Sequence, residues 1–168
     1  MTPLVLNVAE LLRTPGSERD LELESSTAEL ELDTDPRLVP GPVRLDLHLG
    51  VLSDGIVVRG EIEARWTGEC RRCLTPVGGP LLVDVQELYQ NRVTDPEAFP
   101  IEQEQLDLRP MAREALLIEA PAAPLCRPDC AGICPLCGSD RNRTPCSCET
   151  RPVDNRWAAL DALRDDSR

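Results

Sequence analysis

Cysteines carry the clearest chemical signal in this sequence of 168 residues. Six of the eight cysteines fall within residues 126–148, and the other two form the pair Cys70-Arg-Arg-Cys73 far upstream. Cysteines two to four residues apart place two thiolates on one tight turn, which is the arrangement that a tetrahedral zinc ion requires. Because eight thiols divide evenly into two sets of four, the sequence predicts one or two structural zinc ions.

The spacing of the cysteines indicates how they share two sites. The segment Cys134-Pro-Leu-Cys137-Gly138, followed by Cys146-Ser-Cys148, supplies one set of four ligands. Gly138 permits a positive φ angle, so that backbone amides can turn toward the sulfurs. The second predicted set contains the remaining cysteines, Cys70, Cys73, Cys126 and Cys130. A site of this kind would join distant segments and constrain the unfolded chain. The same cysteines also allow other pairings.

Disulfide, redox and iron–sulfur chemistry are the alternatives to zinc. Residues 1–17 have neither the basic region nor the apolar run of a signal peptide, so we expect a cytoplasmic protein, in which stable disulfides are rare. A redox-active CxxC is expected where a strand meets a helix, whereas Cys70 and Cys73 follow an alternating strand pattern. The C-terminal cysteines lack the even spacing of a ferredoxin motif. Zinc therefore fits the spacing best.

The sequence offers little to a catalytic interpretation. His48 is the sole histidine, and it occupies the polar phase of a predicted strand. The motifs GxSxG, GxGxxG and Walker A do not occur, and the zinc deaminase signature lacks its H-x-E part. Hydrolytic zinc keeps an open position beside histidine or carboxylate ligands, whereas cysteines can fill every position here. We therefore expect neither an enzyme nor a small-molecule substrate.

The charge of the chain restricts its partners. The formal net charge is −12, and two zinc sites of four thiolates each would change it to −12 − 4 = −16. Residues 10–35 hold nine acidic residues against two arginines. Such a protein repels a nucleic-acid backbone at long range, so an RNA contact requires a local basic patch, and a basic protein partner is electrostatically easier. No apolar stretch approaches the roughly 18 residues of a membrane span, so we expect no membrane partner.

Hydrophobic alternation places the upstream cysteine pair at the tip of a hairpin. Residues 43–49 and 56–67 alternate apolar and polar side chains on either side of Ser53-Asp54-Gly55, which is a typical hairpin turn. Residues 81–88 alternate again and return antiparallel. The predicted fold is therefore α+β, with an antiparallel sheet or partly open barrel, one or two helices and a cysteine-rich, zinc-binding C-terminal segment.

The remaining segments complete this organisation. The predictions in chain order are a strand at 4–8, a short helix at 8–13, two edge strands within 17–36 around a loop at Ser25-Ser26, a polar loop at 91–105, a helix at 109–119 capped by Asp107, and a last helix from the cap Asp154 through Arg164. We expect residues 1–120 to form a β-rich body. Residues 121–168 would form a cysteine-rich segment with a C-terminal helix, packed on that body as a single unit.

A set of motifs runs in a fixed order along the chain: Cys70-Arg-Arg-Cys73-Leu74, Pro124-Leu-Cys126, Cys130-Ala-Gly-Ile-Cys134-Pro-Leu-Cys137-Gly138, Asn142, Cys146-Ser-Cys148 and Asp154-Asn-Arg156-Trp157-Ala158. In these motifs, and across most of residues 40–164, the chain resembles the YceD family of large ribosomal RNA subunit accumulation proteins. Asp140 departs from the pattern, in which an asparagine is expected at this position. The resemblance implies a non-enzymatic ribosome-biogenesis factor that supports accumulation of large-subunit (23S) rRNA.

The implied partners are large-subunit rRNA or a pre-ribosomal particle, with a basic ribosomal protein as a further partner. All eighteen basic residues are arginines, whose planar guanidinium groups suit phosphate. We expect any rRNA contact to come from those that flank the metal turns, Arg71, Arg72, Arg141 and Arg143. The alternatives are a zinc-dependent interaction module that shields a basic ribosomal protein, and a thiol redox or metal sensor.

Overall fold

A computed structural model describes residues 4–148 and residue 156. Its strands and helices follow in chain order as β1 (Val5–Asn7), α1 (Ala9–Leu12), β2 (Glu18–Ser26), β3 (Pro42–Val51), β4 (Gly55–Glu69), β5 (Pro76–Gln90), β6 (Phe99–Glu102), β7 (Gln105–Asp107) and α2 (Arg109–Glu119). The predicted helix from Asp154 to Arg164 lies outside the described residues. No helix of the described part is long and apolar enough to cross a membrane.

Within that part of the chain, the strands form one curled, half-barrel sheet of seven strands in the order β1-β7-β6-β5-β4-β3-β2. Neighbouring strands are antiparallel, except that β5 and β6 pair in parallel over two residues. The predicted α+β class and partly open barrel are confirmed. The long β4–β5 hairpin, which is paired from Gly55–Gln90 to Glu69–Pro76, dominates the sheet and projects its tip beyond β3.

The core lies on the face of the sheet that the alternating aliphatic residues share. Leu45, Leu47 and Leu49 of β3 are almost fully buried, as are Val58 and Ile62 of β4, while the intervening polar residues face outward. Burying a side chain of this type contributes about 1.5–3 kcal/mol. The two-residue period therefore fixes both the register of the strands and the face that packs on α2.

Helix α2 closes the core and delivers the chain to the cysteine-rich segment. Met111, Ala112 and Leu116 are buried against the sheet. Leu108, and not Asp107 as predicted, occupies the N-cap position, and it makes no side-chain capping hydrogen bond. The Asp107 carboxylate, one residue earlier, accepts the Arg109 backbone N–H at 3.0 Å and so satisfies a free donor at the start of the helix. Arg37 Nη1 donates to the Ala120 carbonyl at 3.0 Å, which fastens the end of the helix to the segment beside β4.

Two local predictions were wrong. Residues 17–36 hold one strand, β2, because the alternation at Leu30 and Leu32 belongs to a turn that buries both side chains. Hydrogen bonds from Leu30 N to Ser26 O and from Leu32 N to Thr27 O close this turn. Residues 91–105 were predicted to be a polar loop, but β6 and the start of β7 lie within them. These strands are too short for a two-residue period to show.

Candidate metal centre

The tip of the β4–β5 hairpin holds the first cysteine pair in a tight turn. Cys70 N–H donates to the Thr75 carbonyl at 2.9 Å, and Leu74 N–H donates to the Cys70 carbonyl at 2.8 Å. Leu74 has φ +60°, a left-handed conformation that bulky residues rarely adopt. The turn points Cys70 and Cys73 inward, so both cysteines are buried. Thr75 Oγ1 lies 3.3 Å from Cys73 Sγ.

The segment after α2 completes this first group of four sulfurs. Arg71 N–H donates to the Pro124 carbonyl at 2.9 Å, which brings Cys126 and Cys130 to the hairpin tip. Arg72 Nη1 then donates to the carbonyls of Pro128 and Cys130 at 3.1 and 3.0 Å. The first group, called site 1 here, consists of Cys70, Cys73, Cys126 and Cys130, whose Sγ atoms all lie within 4.8 Å of one another.

The distances between sulfurs in site 1 suit a tetrahedral ion. Cys70 Sγ lies 3.8 Å from Cys130 Sγ, and Cys73 Sγ lies 3.6 Å from Cys126 Sγ. Four sulfurs at about 2.3 Å from one zinc ion would be about 3.8 Å apart in a tetrahedron. The four sulfurs therefore surround a space of the size that zinc occupies.

The second group repeats the construction of the first pair. Cys134 N–H donates to the Ser139 carbonyl at 2.8 Å, Gly138 N–H donates to the Cys134 carbonyl at 2.9 Å, and Gly138 has φ +73°. Ser139 Oγ lies 3.1 Å from Cys137 Sγ. These contacts match those of Cys70, Leu74 and Thr75 in site 1. The second group, site 2, consists of Cys134, Cys137, Cys146 and Cys148, with all Sγ atoms within 4.8 Å of one another.

A short ladder of backbone hydrogen bonds joins the two sites. Ile133 N–H donates to the Arg72 carbonyl, and Arg141 N–H donates to the Gly132 carbonyl, both at 2.9 Å. Ile133 also forms an antiparallel bridge with Asp140. Gly132 has φ +72°, and a Cβ atom there would lie 2.9 Å from the Arg72 carbonyl oxygen. Only glycine allows the chain to pass this close to Arg72.

Asn142 connects the ladder to a site 1 sulfur. Its Nδ2 donates to Cys130 Sγ at 3.5 Å and to Asp140 Oδ1 at 2.7 Å, while its Oδ1 accepts the Ala131 N–H at 2.8 Å. Arg127 Nη2 donates to the same Oδ1 at 2.7 Å. Asp140, where the resemblance led us to expect asparagine, supplies the oxygen that accepts the Asn142 backbone N–H at 2.9 Å. Such partners around the ligands fix the orientation of the sulfurs.

The thiols of each site differ in their tendency to ionise. The backbone N–H of Cys126 lowers the pKa of Cys70 to about 6, and the hydroxyl of Ser139 lowers that of Cys137 to about 6. Desolvation among the clustered sulfurs raises the pKa of Cys126 to about 12, and contact with Cys137 raises that of Cys148 to about 12. The raised pKa values of Cys126 and Cys148 oppose ionisation of these thiols. A dication bound among the sulfurs would overcome this opposition, because metal-bound thiols are deprotonated.

The four predicted RNA-contact arginines lie on the adjacent segments that the ladder connects. Arg71, Arg72, Arg141 and Arg143 are all exposed. Arg72 differs from the others because its guanidinium group already binds two carbonyls of site 1. Arg143 Nε lies 3.6 Å from Asp140 Oδ2, but its side chain remains 83% exposed. His48 lies elsewhere, on β3, with its Nδ1 2.6 Å from Asp20 Oδ1.

Sequence reasoning missed several residues of this centre. Thr75 and Ser139 each follow a CxxC pair by two positions, so their shared spacing was a usable signal. Leu74 gave no signal, since only glycine or asparagine normally indicates a left-handed residue. The roles of Gly132 and Arg72 depend on two segments meeting in space, which spacing alone does not reveal.

Comparison with known proteins agrees with the motifs. The family model described as large ribosomal RNA subunit accumulation protein YceD matches residues 58–164. The chain belongs to the YceD family. This confirms the resemblance inferred from the sequence, and the matched range spans every cysteine of both sites. The family description names ribosomal RNA accumulation and no enzymatic reaction.

Relatives of the chain occur in mycobacteria. Uncharacterized proteins of Mycobacterium bovis and Mycobacterium tuberculosis are 34% identical to it over 167 residues, which cover 95% of this chain and 80% of each relative. An uncharacterized protein of Mycobacterium leprae is 32% identical over 168 residues, with 95% and 77% covered. No solved structure matches the chain.

Proposed function

We propose that this protein is a non-enzymatic assembly factor of the large ribosomal subunit, which supports accumulation of 23S rRNA by contacting the rRNA or a pre-ribosomal particle. Membership of the YceD family carries this proposal, because the description of that family names accumulation of large-subunit rRNA. The arrangement of the two sites supports it, because the ladder between them joins segments that carry exposed arginines.

Zinc is the metal that best fits both sites. All eight donors are thiols, which favour zinc or iron–sulfur clusters, and the separations in site 1 agree with a single tetrahedral ion. Zinc bound by four thiolates has no open position for substrate, so its role would be structural. In each CxxC turn the backbone amides and the hydroxyl of Thr75 or Ser139 would stabilise the thiolates that hold it.

The metal sites would act by holding arginines rigid. Arg71 and Arg141 belong to segments joined through Arg72, Gly132 and Ile133 by backbone hydrogen bonds. A guanidinium group on such a frame can bind phosphate with a smaller loss of conformational entropy than one on a mobile loop. Because the protein carries a charge of −12, or −16 with two zinc sites, these arginines would contact phosphate groups locally while the remaining surface repels RNA.

We also propose that residues 1–120 and 121–168 function as one unit. Arg37, in the segment beside β4, binds the carbonyl at the end of α2, just before the boundary at residue 120. Arg71 and Arg72, at the tip of the β4–β5 hairpin, bind the segment that follows this boundary. Within the described residues, site 1 itself takes two ligands from each side of the boundary. The two parts would therefore not separate without losing that site.

The test compares two charge-matched double variants. Arg71→Gln/Arg141→Gln removes two exposed guanidinium groups from the ladder segments, whereas Arg19→Gln/Arg59→Gln removes two exposed arginines from β2 and β4. Arg72 is left unchanged because its hydrogen bonds hold site 1. Binding to purified pre-ribosomal particles is measured across a series of salt concentrations.

The ladder variant should bind more weakly, and the slope of log K against log salt should fall by about one unit for each lost phosphate contact. Its zinc content should equal that of the unaltered protein, because neither arginine is a ligand. The β2/β4 variant should bind as the unaltered protein does. If the two variants weaken binding equally, or if neither does, the ladder arginines do not contact rRNA and the proposed mode of binding is wrong.

A further inference from the structure

A groove on the side of the molecule formed by α2 combines an apolar floor with acidic walls. It lies between α2, the end of β5 and the chain that leads into β6, and it encloses about 530 Å³. This volume falls in the range of roughly 300–1,000 Å³ that is typical of binding pockets. The residues used in the argument are Glu87, Glu97, Phe99, Met111, Glu114 and Ile118. None of them belongs to either metal site.

The floor of the groove is rigid. Phe99 stacks on the buried Tyr89, with ring centroids 5.2 Å apart and an angle of 25° between the planes. Met111 and Ile118 are about two turns apart on the same face of α2, at positions i and i+7. Met111 is buried, but Ile118 is 70% exposed, which makes it the most exposed large apolar residue of the described chain. Ile118 therefore extends the apolar surface of the groove into the solvent.

The walls of the groove carry negative charge that nothing in the described residues neutralises. The side-chain carboxylates of Glu87, Glu97 and Glu114 line it, and they have no hydrogen bond or ion pair with any described residue. Desolvation, together with the charges of Glu114 and Glu97, raises the pKa of Glu87. Placing three carboxylates around one groove costs free energy through like-charge repulsion, which a bound cation would relieve.

Some acidic residues elsewhere in the protein have an arginine partner. Asp35 binds Arg37 and Asp107 binds Arg109, each pair at 2.7 Å. Arginines are therefore available to carboxylates in this chain, yet the groove receives none from the described residues. Because no arginine of residues 4–148 complements the groove, a basic group of another molecule is the occupant that the proposal considers.

We propose that this groove binds a basic segment of a partner protein, with an arginine or lysine between the three carboxylates and a neighbouring apolar side chain on Ile118. The long aliphatic stem of such a residue would cover the half-buried Phe99, and its charged head would reach the acidic walls. The role is additional to the rRNA contact proposed above and does not rest on it, because the groove and the ladder arginines share no residue.

The apolar floor and the acidic walls of the groove together favour a basic peptide over metal ions, polyamines and RNA. A hydrated divalent ion gains nothing from Phe99 or Ile118, and a linear polyamine offers no apolar branch to cover Ile118. Phosphate groups would be repelled by the three carboxylates. A peptide that alternates basic and apolar side chains satisfies both parts of the surface.

Nuclear magnetic resonance of the full-length, metal-loaded protein tests the proposal. The probes are a capped peptide of alternating leucine and arginine, its analogue with glutamate in place of arginine, spermidine and Mg²⁺. The methyl groups of Met111 and Ile118 report binding, and Met111 is simple to assign because the chain has only two methionines. The variant Glu87→Gln/Glu114→Gln is compared with Glu61→Gln/Asp84→Asn, whose acids are exposed on the opposite, outer face of the sheet.

The arginine peptide should shift both methyl signals, and the groove variant should bind it at least about tenfold more weakly. The outer-face variant should bind with unchanged affinity. Three results would overturn the proposal: binding of the glutamate peptide with similar affinity, equal weakening by both variants, or the same methyl shifts with spermidine or Mg²⁺ at equal concentration. Zinc content and circular dichroism establish that each variant is folded, which is expected because none of the four acids has a described ion-pair partner.

Discussion

Replacing Gly132 with alanine tests whether the close approach between the two metal sites stabilises the protein. Gly132 has φ +72°, and the new Cβ would lie 2.9 Å from the Arg72 carbonyl oxygen and 3.3 Å from Arg72 Cβ. That carbonyl accepts the Ile133 N–H, and the Gly132 carbonyl accepts the Arg141 N–H. The substitution therefore strains the backbone and pushes apart the segments that these two hydrogen bonds join.

The expected loss follows from these two effects. A left-handed conformation costs a non-glycine residue about 1–2 kcal/mol. Weakening two backbone hydrogen bonds removes about 1–2 kcal/mol more. We expect Gly132→Ala to lower the free energy of unfolding by about 2–4 kcal/mol in all, and amide exchange at Ile133 to become faster.

Gly138 provides a matched control within site 2. Its φ is +73°, but nothing lies within 4 Å of the position that a Cβ would occupy. Gly138→Ala should therefore cost only the backbone part, about 1–2 kcal/mol, and should leave the protection of the Ile133 amide unchanged. Guanidinium unfolding at a fixed free zinc concentration, together with hydrogen exchange, measures both effects. Equal losses in the two variants would refute the argument, because the contact with Arg72 would then contribute nothing.

Three further outcomes are expected. Elemental analysis should find close to two zinc ions per chain, and a folded protein without zinc, with all of its thiols titratable, would contradict the assignment. Hydrogen exchange should show that Cys134→Ser lowers the protection of amides in the C-terminal segment alone. Cys73→Ser should lower amide protection more widely, because site 1 joins distant segments. Identical exchange patterns in the two variants would disprove the separate roles of the two sites. Asp140→Asn keeps the oxygen that accepts the Asn142 N–H, so its free energy of unfolding should stay close to that of the unaltered protein. Asp140→Ala should lower the free energy of unfolding, measured with a chemical denaturant, by about 1 kcal/mol. Equal stability of the two variants would show that this hydrogen bond is unimportant.

Long regular elements were predictable because their signals are repeated. The alternation through β3, β4 and β5 is maintained over many residues, so the hairpin and the position of Cys70 and Cys73 at its tip followed from the sequence. The division of the cysteines into two groups was proposed from spacing, and the structure brings together the same two groups. Each of these inferences rests on several residues that all indicate the same structure.

Features that depend on a single residue or on distant contacts were not predictable. Leu30 and Leu32 alternate as a strand would, but hydrogen bonds back to Ser26 and Thr27 make a turn. Leu74 adopts the conformation that Gly138 adopts in the equivalent turn, although its residue type argues against it. The acidic groove joins residues of β5, α2 and the segment before β6, and no local pattern relates them.

The sequence separation of the ligands implies an order in which the two sites form when the complete chain folds. Site 2 draws all its cysteines from residues 134–148, so its closure involves only a short loop. In site 1 the contacting pairs are 60 and 53 residues apart, and they meet only after the hairpin and α2 have assembled. Because closing a longer loop costs more entropy and slows folding, the local site can capture its ion early. Occupancy of the long-range site would then report that the sheet and the helix have reached their native arrangement.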